Sequence, residues 1–358
     1  MISLNYSFLP MGSTGKPAPH QIYLDVGNRL TVGVIDHHQG DAPDRCTAGL
    51  VLDRSDWVIG QAKGLGRHQP LEIVTHRQPD IDAISAIYFV EHLLAGDLPR
   101  PAADRWADMV CEIDRGHTRV DLVTPITPYT VFLACLYLAE REQGSNDEDI
   151  LALAALAAGK SLVAWLVSRL DEGESTEGLG TALASDPAFA DEVCFVKRDL
   201  GIYRGDLARA ERLMVALPRT DGTGIETVPG LWVDLPQAAL FKAWARGDIG
   251  SSGDPRGFLF TATRLTPTRF IFSVQPDQGL SLKGLGEALE AAETTKRRRL
   301  GRERRGQPRP GYASPDPWYD GRAPMHGYTI VDSPHGGTVL DPAEVRGVLD
   351  EWVKSPKD

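Results

Sequence analysis

Leu71-Glu72-Ile73-Val74-Thr75-His76-Arg77-Gln78-Pro79-Asp80-Ile81-Asp82-Ala83 passes from an apolar run, through an ionisable turn, into a helical pattern. Leu71 to Thr75 is short and apolar, as a strand buried on both faces is. Pro79 and Asp80 suit the start of a helix, since proline has no N–H to leave unpaired and an aspartate accepts from the free N–H groups of the first turn. From Asp82 to Leu94 the apolar residues Ile84, Ile87, Tyr88, Leu93 and Leu94 recur at helical spacing, and Gly96 ends the pattern.

Upstream, the same arrangement occurs twice more. Ile22 to Leu24 leads into Asp25, and Val32 to Ile35 leads into Asp36-His37-His38. Ala102 to Ile113 is a further helical segment. Alternating strands and helices predict an α/β fold whose N-terminal part is a mostly parallel sheet flanked by helices. Ligands of such sheets bind beyond the carboxyl ends of the strands, and those ends carry Asp25, Asp36, His37, His38 and His76.

Downstream the texture changes. Pro125 to Leu170 is rich in Leu and Ala at helical spacing, and the acidic, Gly-containing stretch Asp171 to Gly180 breaks it. Beyond Glu192, strand-like runs occur at Leu231 to Val233, Gly257 to Thr261 and Arg269 to Val274, with helical patterns near Asp206 to Leu217 and Leu282 to Thr295. The predicted organisation is an α/β domain over 1–125, a helical linker or subdomain over 126–190, and a second, smaller α+β domain over 191–358. No internal repeat is apparent.

The chain has 358 residues, 42% of them hydrophobic, enough for two cores. A net charge of −11 opposes binding of duplex DNA, whose affinity comes from Lys and Arg displacing phosphate counterions. A small anion needs only a local positive pocket. Cys46, Cys111, Cys135 and Cys194 form no CxxC pair and sit in apolar surroundings, so they read as reduced core residues of a cytoplasmic protein. Residues 1–20 lack a basic segment followed by an apolar run, and no stretch reaches 18 uninterrupted apolar residues, so neither a signal peptide nor a membrane span is expected.

Six of the nine histidines lie between His37 and His117, interleaved with Asp36, Asp80, Asp82, Glu112 and Asp114. Carboxylates brought within a few ångströms repel and take up protons unless divalent cations neutralise them. Oxygen and imidazole donors without thiolate suit Mn²⁺, with Mg²⁺, Co²⁺ or Fe²⁺ as alternatives, better than a structural zinc.

In these motifs the chain resembles the DHH phosphoesterase superfamily. His76, Asp80 and Asp82 match its His-x-x-Pro-Asp-x-Asp-Ala loop, Asp25 its isolated aspartate, Asp36 to His38 its Asp-His-His triplet, and Asp114 its later aspartate near a helix end. Cys46 to Val51 is similar to the small-residue helix start that follows the triplet. The family places the His-x-x-Pro-Asp-x-Asp loop first, whereas here Asp25 and the triplet precede it, as though the domain were permuted. The resemblance implies two divalent metal ions, the first on His76, Asp80 and Asp25, the second on Asp82, His37, Asp114 and a bridging Asp25. It also implies that Asp36 orients His37 and that His38 faces the scissile phosphate, making His37, His38 and Asp82 the catalytic group. Arg77, Arg115 and His117 are nearby phosphate donors by sequence position, and Arg77 and Arg115 read first as surface residues.

In the second half, Asp332-Ser333-Pro334-His335-Gly336-Gly337-Thr338 loosely resembles the family's substrate-closing stretch, which nominates His335, Gly336 and Gly337 as substrate contacts. Lys296 to Arg309 holds eight basic residues among fourteen, followed by Tyr312, Trp318, Tyr319 and Arg322. This segment reads as a solvated helix end and core aromatics, or as a platform on which bases stack. The expected activity is hydrolysis of a small anionic nucleotide: a dinucleotide, cyclic dinucleotide or short single-stranded oligonucleotide. Inorganic pyrophosphatase or polyphosphatase is the enzymatic alternative, and a catalytically silent nucleotide-binding protein is the alternative of another class. A homodimer is compatible with all three.

Overall fold

The computed structural model describes residues 2–39, 42–65, 69–118, 120–304, 312, 315–322 and 327–354. They form two compact units: Met1–Thr118 with Pro125–Lys197, and Arg119–Thr124 with Arg198–Asp358. The architecture is mixed α/β, with a five-stranded sheet in each unit.

The first sheet comprises β1 (Leu4–Leu9), β2 (Gln21–Leu24), β3 (Leu30–Thr31), β4 (Val34–Ile35) and β5 (Leu71–His76), in the order β1-β5-β2-β4-β3. All neighbours are parallel except β3 with β4. Its helices are α1 (Thr47–Asp53), α2 (Ser55–Lys63), α3 (Ile81–Ala95), α4 (Arg100–Asp114), α5 (Pro128–Gln143), α6 (Glu148–Asp171) and α7 (Leu179–Ser185), and the unit boundary falls inside α8 (Ala190–Arg209).

The expected strands fall on β2, β4 and β5, with one adjustment: Val32 lies in the turn between β3 and β4 and is exposed. The alternating strand β1 was not anticipated. Helix α3 begins where Asp80 Oδ1 accepts from the backbone N–H groups of Asp82 and Ala83 at 3.0 and 3.1 Å, and ends at Gly96, whose φ is +77°. Every residue from Ile81 to Val90 is buried, as an all-round apolar helix requires. Helix α6 is long and apolar enough to cross a membrane. It packs against α3, α4 and α5, burying Leu156, Leu162, Val163, Leu166 and Val167. Gly159 permits the close approach, because a Cβ there would lie 2.6 Å from Ile84 Cδ1.

The cysteine reading is corrected in two respects. Cys46 at the start of α1 and Cys111 in α4 form a disulfide, and Cys194 is exposed. Sixty-five residues separate Cys46 from Cys111 along the chain, but the packing of α1 on α4 brings them together. Cys135 is buried and free, as expected.

The second sheet comprises β6 (Glu211–Pro218), β7 (Ile225–Asp234), β8 (Phe260–Thr266), β9 (Arg269–Val274) and β10 (Ile330–Asp332), in the order β10-β9-β8-β7-β6. Only β7 and β8 are parallel. The helices α9 (Phe241–Gly247), α10 (Ile249–Ser252), α11 (Leu285–Leu300) and α12 (Pro342–Lys354) complete the unit, around a core that includes Phe260, Phe270, Phe272 and Trp318. The helix expected over Asp206 to Leu217 is not formed. Helix α8 stops at Arg209, and β6 pairs with β7 along its whole length, burying Val215 and Leu217 while Met214 faces out.

Candidate metal centre

The sheet order explains how the cluster assembles. Of three adjacent parallel strands, β5 ends in His76, while β2 and β4 lead directly into Asp25 and Asp36-His37, so that Asp25 follows the middle strand. Its backbone N–H is held by Ile35 O at 3.1 Å, and its φ is +58°, a left-handed conformation uncommon for a residue with a side chain. The carboxylate thereby faces both neighbours. Asp25 Oδ2 lies 3.1 Å from His76 Nε2, and Asp25 Oδ1 lies 3.4 Å from His37 Nε2. His37 Nε2 is also 3.6 Å from Asp82 Oδ2 and 3.6 Å from Asp114 Oδ2.

Two groups of donors result, each with its ligand atoms within 4.8 Å of one another: Asp25, His76 and Asp80, and His37, Asp82 and Asp114. His38 joins Asp25 and His37 in a third such group. All six metal-ligand candidates of the sequence therefore meet in one place. The unusual chain order is immaterial to this, because sheet order, and not chain order, sets adjacency.

No family model matches the chain, and no curated protein and no solved structure matches it either.

The donors fit a cation on their own geometry. His37 Nε2 is buried with no hydrogen-bond partner among the described residues, yet three carboxylate oxygens surround it at 3.4–3.6 Å. That spacing is too long for hydrogen bonds but is the separation of neighbouring ligands on one divalent ion with bonds of ~2.1 Å. The electrostatics agree. Burial pushes Asp82 well above the usual carboxylate range, reinforced by the charges of Asp25 and Asp114. Burial likewise raises Asp114 to about 7, and Asp80 rises from burial and the Asp25 charge. Burial opposes charge on His37, but Asp25, Asp82 and Asp114 outweigh it and raise the imidazole to about 10. For Asp25, the surrounding histidines overcome burial and hold it well below the usual range. The protein alone thus holds protons where a metal-loaded cluster would hold cations.

The expected partner of Asp36 is corrected. Its Oδ1 bonds His38 Nδ1 at 2.5 Å and accepts the His38 N–H at 3.1 Å, while Oδ2 accepts from Asn28 N–H. Asp36 therefore orients His38 and not His37. Burial opposes charge on His38, but Asp25 and Asp36 raise it to about 9.

Sequence reading missed Thr47 and Ala48, which hold the carboxylates from the other side. Both N–H groups donate to Asp82, at 2.7 Å each, and the Thr47 hydroxyl donates to Asp25 Oδ1 at 3.0 Å. The small-residue helix start at Cys46 to Val51 was the available signal.

The remaining nominated residues are otherwise engaged. Arg77 pairs with Glu148 and Asp149, Arg115 with Asp44 and Glu112, and His117 with Glu112. In the second unit, the backbone N–H groups of His335 and Gly336 donate to the Asp316 carboxylate at 2.7 and 2.8 Å, so that turn is satisfied within the unit. Trp318 is buried in the core, as its packing reading expected, and Tyr312 lies under the Arg322 guanidinium, 4.2 Å from its ring centroid. Lys296, Arg297 and Arg304 pair with Glu344, Glu293 and Glu290, while Arg305 and Arg309 lie outside the described residues.

Proposed function

We propose that the chain is a metal-dependent phosphoesterase that hydrolyses a small phosphate ester or anhydride, a dinucleotide, cyclic dinucleotide or short oligonucleotide being the leading substrate class. The observation that carries this reading is the pair of donor groups on either side of Asp25, one on His76 and Asp80, the other on His37, Asp82 and Asp114. Two divalent ions held there, Mn²⁺ suiting the donor set best, would acidify a shared water and neutralise the attacking and leaving oxygens.

The chain's own residues supply the rest. Asp25 presents one oxygen to each group, Asp80 spends Oδ1 on capping α3 and keeps Oδ2 for ligation, and Thr47 with Ala48 fixes Asp82. Asp36 holds His38 through Nδ1, leaving Nε2 to carry a proton to the departing oxygen. At about a quarter exposed, His38 is the imidazole of the cluster most open to a substrate.

One observation favours a second reading, pyrophosphate or a short polyphosphate. Trp318, one of the aromatic residues that could have formed a platform for a base, is committed to the core. The deciding experiment incubates the full chain and Mn²⁺ with pyrophosphate, linear and cyclic dinucleotides and short oligonucleotides. Release of nucleoside monophosphate is the expected result. Orthophosphate from pyrophosphate alone would turn the assignment to the second reading, and binding of a nucleotide with no turnover would leave a silent receptor.

A further inference from the structure

Thr47 touches two carboxylates of the cluster, both on the His37 side. Its hydroxyl donates to Asp25 Oδ1, and its N–H donates to Asp82 Oδ2. These are the same two oxygens that face His37 Nε2, at 3.4 and 3.6 Å. Thr47, Asp25 and Asp82 are all buried, so no water competes for these bonds. Thr47 is itself held firmly: it follows Cys46, which is disulfide-bonded to Cys111, on the helix that carries Asp114.

We infer that Thr47 is a positioning residue that fixes the two carboxylate oxygens shared with His37 and so sets the affinity of the His37–Asp82–Asp114 metal position. The inference rests on the metal reading above. A carboxylate that has lost its hydrogen-bonding partner swings among rotamers, and ordering it again opposes ion binding. Because the hydroxyl reaches only the Asp25 oxygen on the His37 side, its loss acts on that position. The His76–Asp80 position keeps Asp25 Oδ2, which lies 3.1 Å from His76.

The test is Mn²⁺ titration of the full-length protein, following free Mn²⁺ by its electron paramagnetic resonance signal, for wild type, Thr47→Val and Thr47→Ser. Thr47→Val keeps the shape and the backbone N–H but removes the hydroxyl, and Thr47→Ser restores it. The expected result is two Mn²⁺ equivalents in wild type. In Thr47→Val one equivalent is weakened by ~10–100-fold, the usual loss when an outer hydrogen-bond partner of a ligand is removed, while the other is retained. Thr47→Ser should recover wild-type binding. Near-ultraviolet circular dichroism checks the fold, and Thr47→Ala is read in the same way should the valine variant not fold. Two wild-type equivalents in Thr47→Val, or a Thr47→Ser variant as weak as Thr47→Val, would overturn the inference. Wild-type protein that binds no Mn²⁺ would instead overturn the metal reading beneath it.

Discussion

At the scale of the residue, Asp25 is the hinge of the account, since one carboxylate just after the middle strand faces His76 with one oxygen and His37 with the other. Asp25→Ala should therefore remove both bound Mn²⁺ equivalents, whereas Asp82→Ala should remove one, measured as metal content after gel filtration with the melting temperature as a folding control. Equal losses in the two variants would contradict the bridging role. His38→Gln should lower kcat by ~10²-fold or more while leaving metal content intact, because its part is proton transfer. A variant that loses metal and rate together would move His38 among the ligands. The identities of the six ligands were legible in the sequence, as each ends a strand or starts or ends a helix in a recognisable motif. The partner of Asp36 and the role of Thr47 were not. Both depend on which way a side chain turns after the strand ends, and the 35-residue separation of Thr47 from Asp82 hides their contact from any local pattern.

Among the elements, the passage from β5 into α3 was the most readable, because capping chemistry at Asp80 and all-round burial of α3 are written in the residues themselves. Strand β6 was not, because Arg209 to Arg212 carries no Gly or Pro to mark the end of α8, and its alternation emerges only from Leu213 onward. The packing of α6 on α3 through Gly159 gives a direct check: Gly159→Leu should destabilise the protein by on the order of 2 kcal/mol in urea unfolding, from overpacking against Ile84 and Phe132. An unchanged midpoint would mean that α6 does not approach α3 so closely. The Cys46–Cys111 link closes a loop of 65 residues, for which the chain-entropy model gives ~4 kcal/mol of stabilisation. Unfolding in the presence of dithiothreitol should therefore show a lower urea midpoint than unfolding without it, and coincident curves would show that the bond contributes nothing.

For the molecule as a whole, the buried carboxylates of Asp25 and Asp82, with Asp80 and Asp114 beside them, form one group that needs positive charge. In the protein alone that charge is protons: Asp114 lies near 7 because of burial and neighbouring carboxylates, and His37 lies near 10 because Asp25, Asp82 and Asp114 surround it. Metal ligands must be deprotonated, so Mn²⁺ binding should release protons and its affinity should rise from about pH 6, as Asp114 ionises, on toward about pH 10, as His37 loses its proton. Isothermal titration in buffers of different ionisation enthalpy measures that release, and a pH-independent affinity would contradict it. Saturating Mn²⁺ should also raise the melting temperature, reversibly with a chelator, since the ions bind the folded state. The most direct measurement is anomalous diffraction at the manganese edge from crystals grown with Mn²⁺. Two peaks ~3.5–4 Å apart are expected, one among Asp25, His76 and Asp80 and the other among His37, Asp82 and Asp114. Crystals that carry manganese elsewhere, with neither peak at this cluster, would contradict it.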